Sequence, residues 1–135
     1  MTTLWRPIGY GELQRIIEMH GLGYPPRFTA QPIFYPVLDE GYAVEIARDW
    51  NQDDEASGFA GFVTRMEIAE ATAAQYAEQV VGARRHRELW VPAEELPAFN
   101  AALIRPIVVS HAFFGERFAG DRKLANRLGY PGANP

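Results

Sequence analysis

The chain has 135 residues, 47% of them hydrophobic, a formal net charge of −4 and no cysteine. This length predicts one domain with a proper core, and the absence of cysteine excludes disulfides and thiolate chemistry. The acidic balance argues against a general binder of nucleic-acid backbones, although residues 84–87 offer a local basic patch. The first residues lack the apolar run of a signal peptide, and no stretch approaches the roughly 18 apolar residues that span a bilayer. We therefore expect a soluble, cytoplasmic protein without membrane contact.

In chain order, hydrophobic periodicity predicts about six strands and three or four helices. The strands are expected at 4–6 (ended by Pro7), 32–36, 62–68 (half-buried), 79–81, 89–91 (ended by Pro92) and 107–114, the last interrupted by Ser110 and His111. The helices are expected at 12–20, at 40–50 with Asp39 as the N-cap, at 69–77 and from Pro97, with an exposed loop at 51–58. The three tryptophans are expected in the core, and these are Trp5, Trp50 and Trp90.

Strands and helices do not alternate regularly along the chain, so the predicted class is α+β. No linker or repeat is visible, which favours a single domain over residues 1–115. Residues 116–135 are predicted to form a polar C-terminal tail with room for one short helix at about 121–128, stopped by Gly129.

The stretch 83–96 carries the strongest functional signal of the chain. A basic segment, residues 83–87 (ARRHR), leads into the apolar residues 89–91, which are typical of a short buried strand. Glu88 lies at the mouth of that strand and His86 precedes it by two residues, so an extended backbone places both side chains on one face. An imidazole and a carboxylate among arginines suit an anionic ligand and a general base or charge stabiliser. Charged residues beside a strand are more often a solvated loop, so spacing alone leaves both interpretations open.

Other motifs give weaker signals. Residues 9–11 (GYG) are a fragment of the dinucleotide-binding fingerprint without its third glycine, which argues against a Rossmann site. The three consecutive acids at 53–55 lack further ligands for a metal, and the three histidines are far apart in sequence. No metal site is therefore predicted.

Three segments together resemble the ADP-ribosyltransferase-like superfamily, whose members split NAD. In residues 4–6 (LWR), Arg6 stands in the place of the basic residue on the family's first strand. In residues 33–36 (IFYP), Tyr35 lies on the middle strand. In residues 86–92 (HRELWVP), Glu88 stands in the place of the glutamate that opens a late strand. Up to about residue 114 the chain is also similar to small uncharacterised bacterial proteins that are sometimes labelled as related to ADP-ribosylation.

The resemblance implies a mostly antiparallel split sheet with two to four helices, and NAD as the substrate. It implies that Glu88 stabilises the positive charge that develops on the ribose when the nicotinamide–ribose bond breaks. It further implies that Tyr35 stacks on nicotinamide and that Arg6, with Arg84 or Arg85, pairs with the pyrophosphate.

His86 stands where the family usually has glutamate or glutamine, a position that helps to select the acceptor of the ADP-ribosyl group. It could orient the acceptor or take its proton, and the acceptor stays open between protein, nucleic acid and water. Two alternatives remain from the sequence: a noncatalytic member of the same fold that binds a nucleotide or a protein, and a transferase of the same fold directed at RNA ends.

Overall fold

The computed structural model describes residues 1–27, 31–82 and 86–132. The strands in these ranges are β1 (Thr2–Ile8), β2 (Ile33–Phe34), β3 (Ala60–Ile68), β4 (Glu78–Val80), β5 (Arg87–Leu89), β6 (Val91–Pro92) and β7 (Val108–Phe114). The α-helices are α1 (Tyr10–Glu18), α2 (Glu40–Asp49), α3 (Glu70–Ala73) and α4 (Leu96–Ala101), with 3₁₀ turns at Asn51–Asp53, Glu55–Ser57, Ala93–Glu95 and Leu124–Leu128. The strand pairs are antiparallel, so the predicted α+β class is confirmed. No helix in the described ranges is both long and apolar enough to cross a bilayer.

One twisted layer of strands organises the molecule. β1 pairs antiparallel with β3 along its whole length, and β3 pairs antiparallel with β7. On the other side of β1, the backbone of Val37 exchanges two hydrogen bonds with Trp5, of 2.7 and 2.9 Å, and Val37 is bridged in turn to Glu88 of β5. Residues 36–38 therefore connect β1 to the β5–β4 pair, which gives the order β7, β3, β1, residues 36–38, β5, β4.

The sheet splits immediately beside Trp5. The chain before residue 36 leaves β1 and forms β2, which pairs with β6 instead. Among the described residues, the last part of β1 has no strand partner on that side. Pro7 lies two residues after Trp5, on the same edge, where its missing N–H leaves no donor unpaired. β1 therefore continues through Pro7 to Ile8, and the prediction that the strand ends at Pro7 is wrong.

Both faces of the first part of β3, residues 60–64, are buried, because α2 packs on one face and the main core fills the other. Ala43 and Ala47 of α2 are fully buried against Val63 and Val37. A Cβ built on Gly61 would overlap the carbonyl oxygen of Ala47, so the helix and the strand approach closely only because this residue is glycine. The predicted half-buried alternation is therefore confirmed for residues 65–68, where Arg65 is exposed between buried residues, and is wrong for Val63, which α2 covers.

Several predicted elements are confirmed. α2 matches the predicted helix, and its Asp39 Oδ1 accepts from the N–H groups of Gly41 and Tyr42, as expected for an N-cap. Pro97 lies in the first turn of α4. β7 runs as one strand with a bulge, because Val63 and Thr64 pair with His111 and Val109 and leave Ser110 as the extra residue.

Other boundaries differ from the predictions. α1 lies at 10–18 rather than 12–20, and the helix expected at 69–77 is reduced to the single turn α3. The strand expected at 89–91 breaks at Trp90, because Leu89 bonds to residue 36 while Val91 pairs with β2. The loop at 51–58 buries Asn51 and Ser57. In the C-terminal segment, the helix expected at about 121–128 is a 3₁₀ turn at Leu124–Leu128, and its Ala125 and Leu128 join the main core, so the segment is more than a polar tail. Gly129 follows in the left-handed conformation with φ +81°, as predicted for its stop.

Candidate functional site

A cavity of about 740 Å³ opens where the sheet splits. It is bordered by the end of β1 with the start of α1, by the C-terminal end of α2 and by the junction of β5 and β6. Its lining includes Arg6, Tyr35 and Glu88, three of the residues singled out from the sequence. The volume lies within the roughly 300–1,000 Å³ that small-molecule sites occupy. Three segments distant in sequence thus border one space.

Arg6 and Glu88 reach this cavity from opposite faces of the sheet. Trp5, Val37 and Glu88 are bridged side by side, so their side chains share the face covered by α2. The side chain of Arg6, the next residue along β1, lies on the other face with its guanidinium 4.8 Å from the ring centroid of Phe34. Both side chains border one cavity because the sheet has a gap beside them.

Glu88 is a buried carboxylate held at both oxygens. The residue is only 9% exposed. The indole Nε1 of Trp90 donates to Oε1 at 2.8 Å, and the hydroxyl of Tyr42 donates to Oε2 at 3.2 Å. Hydrogen bonds to an ionised acceptor are stronger than those between neutral groups, so these two donors fix the orientation of the carboxylate. Glu88 is therefore not part of a solvated loop, which was the competing interpretation of its position.

His86 and Glu88 contact the same side chain of α2, but His86 does not border the cavity. The His86 ring stacks on the Tyr42 ring with centroids 4.2 Å apart, and its Nε2 lies 3.1 Å from Oε2 of Glu45. Burial raises the pKa of the Tyr42 hydroxyl, and the nearby charge of Glu88 raises it further. The hydroxyl therefore stays protonated and can donate to Glu88 at neutral pH. Tyr42 stands between the imidazole and the carboxylate.

Arg6 is occupied by a neighbouring acid. Its Nε donates to Glu12 Oε2 at 2.7 Å and its Nη2 donates to Glu12 Oε1 at 3.0 Å. Burial by itself would lower the pKa of the Arg6 guanidinium, but the attraction and hydrogen bonds of Glu12 outweigh burial and raise it. Arg6 is thus a charged wall of the cavity whose strongest hydrogen-bonding positions are already taken.

Arg27 is a charged residue of the cavity that the sequence did not single out. Its side chain is 8% exposed, and Nη1 lies 3.8 Å from Oε1 of Glu12. Nη2 donates to Gln31, whereas Nε is buried without a hydrogen-bond partner among the described residues. Burial lowers the pKa of the Arg27 guanidinium, and the positive charge of Arg6 lowers it further. Arg27 follows two prolines in a segment without periodicity, so no sequence pattern indicated its position.

Three exposed aromatic residues border the cavity. Tyr35, Trp50 and Trp90 all border it, with 39%, 61% and 46% of their surfaces exposed. Tyr35 and Trp90 meet edge to face with their ring centroids 6.3 Å apart. The prediction that all three tryptophans lie in the core is therefore wrong for Trp50 and Trp90. For Trp90 the alternation of an extended chain offered a signal, because Leu89 and Val91 on either side are buried.

Two further predicted ligands, Arg84 and Arg85, lie outside the described residues. Within the described ranges, no group of three or more histidine, aspartate or glutamate side chains is placed to hold a metal ion. No known protein-family model, curated protein sequence or solved structure matches this chain, so the functional argument rests on the geometry of the cavity.

Proposed function

We propose that this chain cleaves the nicotinamide–ribose bond of NAD and passes the ADP-ribosyl group to water or to another acceptor. The observation that carries the proposal is the Glu88 carboxylate, buried and held by two donors at the wall of a cavity that also contains guanidinium groups and exposed rings. A fold of the ADP-ribosyltransferase-like kind is part of the same proposal, and the split antiparallel sheet supports it.

The chemistry requires a negative charge in a fixed place. As the bond between ribose C1′ and the nicotinamide nitrogen breaks, its electron pair leaves with the neutral nicotinamide and positive charge develops on the ribose. A preorganised carboxylate stabilises that charge without reorienting during the reaction. Trp90 and Tyr42 each use one acceptor position of Glu88, and a carboxylate has about four, so positions remain for a ribose hydroxyl. The acceptor then bonds to C1′ and loses its proton.

The rest of the cavity suits the other parts of a dinucleotide. Guanidinium groups match the oxygens of a diphosphate, and Arg27 brings one to the cavity, while Arg6, already bound to Glu12, adds positive charge to the cavity wall. Flat heterocycles stack on aromatic side chains, and Tyr35 and Trp90 expose rings beside Glu88. His86 lies behind Tyr42, so its part in this proposal is to hold Tyr42 rather than to touch NAD.

The test is release of nicotinamide from NAD, measured by chromatography for the wild-type chain and for Glu88→Gln. Glutamine keeps the size of the side chain and removes its charge, so the rate should fall at least tenfold, which corresponds to about 1.4 kcal/mol of transition-state stabilisation. Glu94→Gln is the matched control, because Glu94 is an exposed acid six residues further along the chain.

Equal rates for the wild type and Glu88→Gln would refute the assignment of Glu88. A chain that is stabilised thermally by NAD but releases no nicotinamide would be a noncatalytic nucleotide-binding protein. A chain that NAD does not stabilise, and that releases no nicotinamide, would exclude the proposal altogether.

A further inference from the structure

The glycine pair Gly9 and Gly11, too incomplete for a dinucleotide fingerprint, lies where β1 turns into α1 and borders the cavity. The first hydrogen bond of α1 runs from the N–H of Leu13 to the carbonyl of Gly9, so the three amides before Leu13 have no acceptor within the helix. Gly9 at the N-cap supplies no side-chain cap. A Cβ built on Gly11 would meet no atom within 4 Å, so open space adjoins Gly11, whereas a Cβ on Gly9 would collide with Ser57.

The buried guanidinium of Arg27 is a second, independent feature of the same place. Its Nη1 is 3.8 Å from a carboxylate oxygen of Glu12, a residue of the first turn of α1. Its Nε is buried and has no hydrogen-bond partner among the described residues. A buried donor without an acceptor is costly for a folded protein. An anion bound beside the start of α1 would supply the acceptor.

The charges around this corner leave room for an anion. Glu12 is already bound through both oxygens by Arg6, and Arg27 approaches the same carboxylate. Two guanidinium groups therefore share the Glu12 carboxylate, so at this corner the arginines outnumber the acid that they contact. The amino end of a helix adds a partial positive charge and pointed N–H donors, a combination that binds phosphate in many proteins.

We propose that the amino end of α1, from Gly9 to Glu12, and the side chain of Arg27 form a binding site for a phosphate group. The natural occupant would be the diphosphate of NAD, and this assignment rests on the proposed function. The site itself follows from the open space at Gly11 and the unpartnered Nε of Arg27, whether or not the chain cleaves NAD.

The experiment is titration calorimetry of the full chain with inorganic pyrophosphate, ADP-ribose and adenosine, at low and at moderate salt. Pyrophosphate and ADP-ribose should bind more weakly as salt rises, and adenosine should bind at least tenfold more weakly than ADP-ribose. Arg27→Gln should weaken both phosphate compounds at least tenfold. The matched control is Arg48→Gln, which removes an exposed arginine paired with Asp49 and should change neither affinity.

A second variant tests the helix end without touching the arginines. Gly11→Asp places a carboxylate in the open space beside the amides, where it should reduce pyrophosphate affinity at least tenfold. Aspartate is favourable in the first turn of a helix, so the fold should persist, and a thermal melt verifies this. Gly11→Asn has the same shape without the charge and should weaken binding less than the aspartate.

The outcomes separate the two proposals. Pyrophosphate binding that Arg27→Gln and Gly11→Asp leave unchanged, or no pyrophosphate binding at all, would overturn the phosphate site. Tight pyrophosphate binding that both variants weaken supports the site even if no nicotinamide is released from NAD. If Glu88→Gln abolishes nicotinamide release while Arg27→Gln leaves both the KM for NAD and pyrophosphate affinity unchanged, the function stands and this site does not.

Discussion

The buried phenol of Tyr24 allows a sharp test of the packing that supports the site. Its ring packs in the main core, and its hydroxyl lies 2.8 Å from Oγ1 of Thr64. Thr64 donates its own proton to the carbonyl oxygen of Arg6 at 2.8 Å, so Tyr24 must be the donor to Thr64. Tyr24→Phe keeps the ring and deletes this donor. At pH 7 the variant should lose about 1 kcal/mol of unfolding free energy, the usual value for such a hydrogen bond.

The deficit should disappear at alkaline pH. Burial raises the pKa of Tyr24 in the folded chain far above the value of about 10 that it has when unfolded. Because the pKa of Tyr24 is raised by folding, the stability that the neutral phenol contributes is complete below pH 10. It is lost as the pH rises from 10 towards the pKa of Tyr24 in the folded chain. At pH 11 ionisation of Tyr24 in the unfolded chain costs the wild type about 1.4 kcal/mol, and phenylalanine escapes this cost. The two stability curves should therefore cross slightly below pH 11.

Urea denaturation of both chains at pH 7, 9, 10 and 11 measures the difference, and the other titrating groups cancel between them. Thr64→Val is the control, because it breaks the same hydrogen bond but keeps the phenol, so its deficit should persist at pH 11. A deficit of Tyr24→Phe that stays constant from pH 9 to 11 would refute the reasoning, because Tyr24 would then ionise equally in the folded and unfolded chains.

Three further predictions concern the Arg6–Glu12 ion pair, the contact of α2 with Gly61 and the Glu88 carboxylate. Glu12→Gln leaves the buried Arg6 without its carboxylate and should lower the free energy of unfolding by roughly 3–5 kcal/mol, measured by urea denaturation. The double variant Arg6→Met with Glu12→Leu replaces both charges by apolar groups and should lose less. If Glu12→Gln loses no more than the double variant, the ion pair is weak. Gly61→Ala places a methyl group against the α2 backbone and should lower the free energy of unfolding by about 3 kcal/mol. Gly11→Ala faces open space and should raise the free energy of unfolding by about 0.5–1 kcal/mol. Equal melting temperatures of the two variants would contradict the close approach of α2 to β3. Trp90→Phe keeps a flat ring but removes the donor to the carboxylate, and it should slow nicotinamide release by about tenfold; an unchanged rate would exclude that donor from the reaction.

The sequence was most informative where local chemistry decides the structure. The apolar spacing from Tyr42 to Ala47 and the capping side chain of Asp39 predicted α2 almost to the residue, because both act within one or two turns. The alternation of an extended chain placed His86 and Glu88 on one face, where both contact Tyr42, but it did not show that Tyr42 separates the two groups. At the site, the sequence pointed to Arg6, Tyr35 and Glu88, which border the cavity, and to His86, which does not.

Long-range contacts decided the rest. Pro7 continues β1 because the neighbouring segment pairs with Trp5 through Val37 and leaves the edge before it reaches Pro7, and that segment is about 30 residues away in the chain. The burial of Val63 in β3 depends on α2, and the exposure of Trp90 depends on the strand breaking between two different partners. None of these partners can be read from the residues beside them.

The sequence by itself determined the α+β class, the positions of the strongest helices and strands and the segment that carries Glu88, because these depend on propensity, periodicity and caps. Only the tertiary structure decided where the sheet splits, that Tyr42 and Trp90 hold Glu88, and that Arg27 borders the cavity beside α1. The physical reason is that the pattern of neighbouring residues fixes the face of the helix or strand on which a side chain lies. The partner of that side chain is fixed by the packing of segments that are distant in sequence.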